Sequence, residues 1–148
     1  CDICQEVCPW NERFSSTSTE PAYRAGPDTD GPELIGLMSL DEDGFAQRFS
    51  GSPIKRAKRR GLLRNVAVAL GNWGSGEAAP VLARALGDHE PLIRGHAAWA
   101  LGRILARVGI PGEGDVAVAE ALRSRFSVEE DPWVKQELEG ALGPEPQA

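Results

Sequence analysis

The sequence predicts an all-α protein whose main part is a short solenoid of stacked helix pairs. The prediction rests on an internal repeat, on where its small residues fall, and on a second helical pattern between its copies. Pro91-Leu92-Ile93-Arg94-Gly95-His96-Ala97-Ala98-Trp99-Ala100-Leu101-Gly102 lines up without a gap on Pro132-Trp133-Val134-Lys135-Gln136-Glu137-Leu138-Glu139-Gly140-Ala141-Leu142-Gly143. An earlier copy, Leu62-Leu63-Arg64-Asn65-Val66-Ala67-Val68-Ala69-Leu70-Gly71, fits after a one-residue slip. Each copy opens on an apolar pair and a cation, continues through small residues that admit a neighbouring helix closely, and stops at Leu-Gly. The terminal glycine is suited to a left-handed helix cap. Between the copies lie Ala79–Leu86 and Val116–Phe126, each with helical spacing. Helix pairs recurring every 30 to 40 residues or so build an α-solenoid.

The elements follow in order. Residues 1–14 hold all three cysteines as Cys1-x2-Cys4-x3-Cys8-Pro9. Three thiols cannot all pair with one another, and the nearest histidine, His89, is too distant for a local zinc knuckle. A run ending in Cys-Pro is instead the pattern of bacterial ferredoxins, so residues 1–14 read as the C-terminal part of a ferredoxin-like [4Fe–4S] module. A cluster of four irons normally takes four thiolates, so further ligands and an upstream domain are expected. Residues 15–33, rich in Ser, Thr, Pro and Gly, form a linker. A short helical connector spans 34–53, with Ser39 or Asp41 as cap, Phe45 and Phe49 one turn apart, and Ser50-Gly51-Ser52-Pro53 as breaker. The repeat domain occupies 54–143, where the paired helices resemble HEAT-like repeats, and 144–148 is a tail. Leu70, Leu101 and Leu142 are expected at equivalent buried positions.

The 148 residues carry a net charge of -6, which argues against a generally basic nucleic-acid binder. The average hides a local concentration: Ile54 to Asn65 contains Lys55, Arg56, Lys58, Arg59, Arg60 and Arg64 and no acid. Six cations at the entry of the first repeat helix can neutralise several phosphates. The bland alternative is a solvated helix face paired with Asp41, Glu42 and Asp43 nearby. No aromatic residue interleaves the run, which favours phosphate contact over base stacking. Trp73, Trp99 and Trp133 read as packing residues, and His96 as core or interface. No Ser-His-Asp set, nucleotide-binding glycine loop or histidine pair for a metal appears. No apolar run reaches the roughly 20 residues of a membrane span, and a cytoplasmic, monomeric protein is expected.

Taken together, Cys-Asp-x-Cys-x3-Cys-Pro-Trp-Asn, a polar linker, and Ser52-Pro53-Ile54-Lys55-Arg56-Ala57-Lys58-Arg59-Arg60-Gly61-Leu62-Leu63-Arg64-Asn65 leading into HEAT-like helices resemble the C-terminal part of the epoxyqueuosine reductase family. The resemblance implies an oxidoreductase of tRNA queuosine biosynthesis with two [4Fe–4S] clusters and a cobalamin bound by an upstream domain. It would convert epoxyqueuosine to queuosine at the wobble position. It implies that Cys1 and Cys4 ligate the second cluster while Cys8 crosses back to the first, as in two-cluster ferredoxins. It also implies a tRNA anticodon stem-loop as partner, held by the Lys55–Arg64 cations, and an electron donor. No catalytic residue is expected in this stretch, which alone would be inactive. The competing expectation is a protein-binding HEAT-like scaffold attached to an electron-transfer ferredoxin module.

Overall fold

The computed structural model describes residues 3–21, 33–107 and 113–143. The chain divides into two units, Cys1–Pro32 and Glu33–Ala148. In the first, two short helices, α1 (Ile3–Glu6) and α2 (Pro9–Phe14), flank Cys8. Proline supplies no amide hydrogen and stands at the first helical position, where none is needed. Trp10 and Phe14, one turn apart on α2, stack with ring centres 5.4 Å apart.

The second unit begins with α3 (Leu34–Met38) and α4 (Glu42–Arg48). Asp41 provides the cap, its Oδ1 accepting the Gly44 amide at 2.7 Å. Phe45 and Phe49 are both buried, 5.2 Å apart. The chain then breaks at Gly51, whose φ of 76° lies in the left-handed region. A 3₁₀ turn, Pro53–Ala57, leads into α5 (Lys58–Trp73), followed by α6 (Ala79–Ala85), α7 (Pro91–Arg107), α8 (Glu113–Val128) and α9 (Pro132–Leu142). Helices α5, α7 and α9 pack side by side in one layer, while α6 lies against α7 and α8, and α8 against α9. The described residues are all-α, as the periodicity predicts.

The core follows the repeat. Leu63, Leu70, Leu101, Leu122 and Leu138 are fully buried, each contributing about 1.5–3 kcal/mol from removal of apolar surface from water. Leu142 is only partly buried, because α9 ends the described array and has no further helix over it. Trp73, expected to pack, is 51% exposed at the end of α5, where its carbonyl accepts a hydrogen bond from Arg107.

The Leu-Gly signals also act differently from a cap. Gly71 and Gly102 lie inside α5 and α7, which continue to Trp73 and Arg107. The left-handed cap of α5 is Gly74, with φ 71°. What Gly71 and Gly102 provide is closeness. A Cβ on Gly71 would stand 2.9 Å from Ala100 Cα, and one on Gly102 would stand 2.7 Å from Ala141 Cα. Ala100 and Ala141 are equivalent positions of the repeat, so one glycine-on-alanine contact recurs at both interfaces. Gly143, φ 71°, does follow the last helix.

Candidate nucleic-acid interface

The six cations separate into two groups once folded. Lys55 and Arg56 lie exposed on the 3₁₀ turn, Lys58 is exposed where that turn passes into α5, and Arg60 and Arg64 are exposed one turn apart on α5. Lys58 has φ 57°, the one positive value outside glycine among the described residues. Such a backbone costs about 1–3 kcal/mol, and it sits where the chain turns from the 3₁₀ segment into the helix. The result is five solvent-facing cations at one end of α5.

Arg59, expected at the surface with the others, is buried. The reason is helical register: Arg59, Leu63, Val66, Ala67 and Leu70 share the stripe that faces the core. Its Nε donates to the Leu40 carbonyl at 2.8 Å, and its two terminal nitrogens grip both oxygens of Asp88. Glu42 stands farther off, at 4.0 Å. The acidic neighbours therefore account for one cation of the six, and chiefly through Asp88. The hydrogen bonds to Asp88 raise the Arg59 pKa. Burial pushes the Asp88 carboxyl up, but the bonds from Arg59 and from the Glu90 amide prevail and hold it below its ordinary value.

The same clasp recurs one repeat later. Arg94, on α7, donates from Nε and Nη2 to Glu129 at 2.8 Å each, and from Nη1 to the carbonyls of Asp88 and His89 at 3.0 Å. Arg125 adds a contact to Glu129 at 2.7 Å. Asp88 and Glu129 occupy equivalent places ahead of α7 and α9, and each also accepts amide hydrogens of its own turn. Each acid thus reaches back to an arginine of the previous repeat. Hydrogen bonds from Arg94 above all hold the Glu129 carboxyl down to about 2, against the opposing effect of burial. Sequence alignment paired Arg94 with Arg64, yet Arg64 is exposed and Arg59 makes the equivalent clasp.

Of the cysteine run, Cys1 lies outside the described residues. Cys4, on α1, is exposed, and Cys8, at the N-terminus of α2, is half-buried; both are free thiols. Among the described residues no three ligating side chains converge. The donor chemistry suits iron: two thiols without a disulfide, reachable from outside, precede the proline that ends the motif. No helix of the described residues is long and apolar enough to cross a membrane.

Two stacked layers of paired helices with a repeated small-residue contact define an α-solenoid, and the HEAT repeats family matches residues 55–143. The chain belongs to that family. Its relatives are more particular. It is 43% identical over 102 residues to the epoxyqueuosine reductase of Xanthomonas campestris pv. campestris, a match covering 68% of this chain and 28% of that protein. It is 31% identical over 143 residues to the epoxyqueuosine reductase of Bacillus subtilis strain 168, covering 96% of this chain and 34% of that one. A crystal structure of epoxyqueuosine reductase with a tRNA-Tyr epoxyqueuosine-modified stem loop superposes with a TM-score of 0.79 at 31% identity, over 96% of this chain and 36% of the other. The chain thus spans about a third of the length of these relatives, and the resemblance carried by its two motifs extends over both units.

Proposed function

We propose that this chain is the C-terminal part of a cobalamin-dependent iron–sulfur reductase that converts epoxyqueuosine to queuosine at the tRNA wobble position. The observation that carries the reading is the match to the Bacillus subtilis enzyme over 96% of the chain, which includes cysteine segment and repeats in one alignment. Replacing the epoxide by an alkene releases its oxygen as water and consumes two electrons and two protons. Two [4Fe–4S] clusters and a cobalamin, the latter in an upstream domain, would supply the electron relay and the reactive metal centre.

The residues of this chain have two tasks in that scheme. Cys1 and Cys4 ligate the second cluster, and Cys8, ahead of Pro9, ligates the first. Lys55, Arg56, Lys58, Arg60 and Arg64 contact phosphates of the anticodon stem-loop and so hold it in register with the chemistry. Arg59 drops out of that set because its guanidinium is already engaged with Asp88 and Leu40. The protein works in the cytoplasm, where thiolates stay reduced, as a monomer served by an electron donor. Five exposed cations on an acidic chain support an RNA partner over a protein scaffold.

The test is anaerobic turnover by the full-length protein, loaded with iron and cobalamin and given a low-potential reductant and an epoxyqueuosine-bearing stem-loop. Nucleoside analysis should show queuosine accumulating in proportion to enzyme. Unaltered epoxyqueuosine in the presence of fully loaded protein would overturn the proposal.

A further inference from the structure

A cleft of about 250 Å³ opens across the α5–α7–α9 layer, lined by Val68, Gly95, His96, Trp99, Trp133 and Glu137. Arg60, Arg64 and Val68 follow one another at i, i+4 and i+8 on α5, so the exposed cations run along the helix into this cleft. Both indoles lie over glycine on the neighbouring helix. A Cβ on Gly95 would meet the Trp133 ring at 2.4 Å, and one on Gly71 would meet Trp99 at 2.9 Å. The rings are thereby fixed in place while remaining only partly buried. Arg103 adds a cation 5.8 Å from the Trp99 ring centre.

The polar groups of the cleft are His96 and Glu137. His96 Nδ1 lies 2.8 Å from the Leu92 carbonyl; a carbonyl only accepts, so Nδ1 carries a hydrogen and is already engaged. His96 also tilts against Trp133, with ring centres 5.3 Å apart. Glu137 contributes a carboxylate, which takes two parallel N–H donors well. Among the standard bases, guanine has two adjacent donors, N1–H and N2–H, on its pairing edge. Adenine and cytosine place an acceptor beside the amino group, and uracil flanks its one donor with two acceptors.

We infer that this cleft holds an unpaired guanine of the bound RNA, stacked on the indole surface with its pairing edge toward Glu137, while the backbone runs along Arg60 and Arg64. The inference rests on the RNA reading above and adds to it a base-recognising subsite, where phosphate contact alone was expected from the sequence. Stacking on an aromatic ring tolerates any base, whereas the carboxylate selects.

The experiment measures affinity of the full-length protein for stem-loops identical except at one unpaired loop position, occupied by guanosine, inosine or adenosine. Inosine keeps N1–H and lacks the amino group. The guanosine stem-loop should bind at least about tenfold more tightly than the other two, the discrimination of a good bidentate pair. Glu137→Ala, a helix-compatible change, should erase that preference without altering the salt dependence. Arg64→Ala should flatten the salt dependence and leave the preference intact. Equal affinity for all three loops, or a preference that survives Glu137→Ala, would overturn the subsite while leaving RNA binding standing. Failure to bind any of the RNAs would overturn both.

Discussion

Glu129 shows how much a single side chain does in the array. Its carboxylate accepts from Arg94 and Arg125 and from the amides of Glu130 and Asp131, so it joins α7, α8 and the entry to α9. Its folded pKa of about 2 lies below the ordinary value of 4.5. The stabilisation is therefore complete above the ordinary value and is lost as pH falls toward 2. It amounts to roughly 3 kcal/mol. Urea unfolding between about pH 5 and pH 2 should show this loss, and in Glu129→Gln that slope should flatten. The variant should also be less stable at neutral pH by about 3–5 kcal/mol, since Arg94 is left buried without its charge partner. At the other end of the chain, the proposed reading gives neighbouring thiols different clusters, as in two-cluster ferredoxins. Cys4→Ser and Cys8→Ser should each impair a different cluster, seen as loss of different signals in low-temperature electron spin resonance of the reduced protein. Loss of the same signal in both would reject the crossed ligation.

Helix packing depends on where a side chain is absent. In an exposed helix, Gly→Ala usually gains about 0.5–1 kcal/mol. Gly140, on α9, has open space where its Cβ would go, and Gly140→Ala should gain that amount. Gly102→Ala should lose about 1–3 kcal/mol instead, because the new methyl meets the backbone of Ala141 and the helices must separate. Thermal melts of the two variants, moving in opposite directions, check the argument. Leu101→Ala should cost about 2–5 kcal/mol as a cavity at the centre of α7.

The ungapped match of 91–102 on 132–143 already implied that α7 and α9 do the same job, and the fold bears this out in the equivalent places of Ala100 and Ala141. What the match could not convey is which neighbour each small residue meets. Gly71 and Gly102 look like helix ends because Leu-Gly often is one, whereas tertiary approach decides their role. The clasps were hidden for a related reason. Arg59 and Asp88 are 29 residues apart, Arg94 and Glu129 35, and the two arginines stand at different positions in their helices. A signal for Arg59 did exist, since it lies four residues ahead of Leu63 on the apolar stripe. A count of charges gives their density along the chain, not the direction in which each points.

For the molecule as a whole, the proposed RNA contact depends on the division of the basic run. If Lys55, Arg56, Lys58, Arg60 and Arg64 each touch a phosphate, the logarithm of affinity should fall with the logarithm of salt by roughly 0.7–0.9 per contact. Replacing Lys55 and Lys58 together with Ala should then flatten the slope by about 1.4–1.8 and weaken binding for every stem-loop sequence alike. Arg59→Met should behave oppositely. It removes the guanidinium that ties α5 to Leu40 and Asp88, leaving the half-buried Asp88 without its partner, so unfolding should occur at lower urea. At temperatures where the variant remains folded, its salt slope should match the unaltered protein, because that cation is buried against Leu40 and Asp88. A slope that falls by a full contact in folded Arg59→Met, or stays constant in the Lys55/Lys58 variant, would show that the surface charge of α5 is not what holds the nucleic acid.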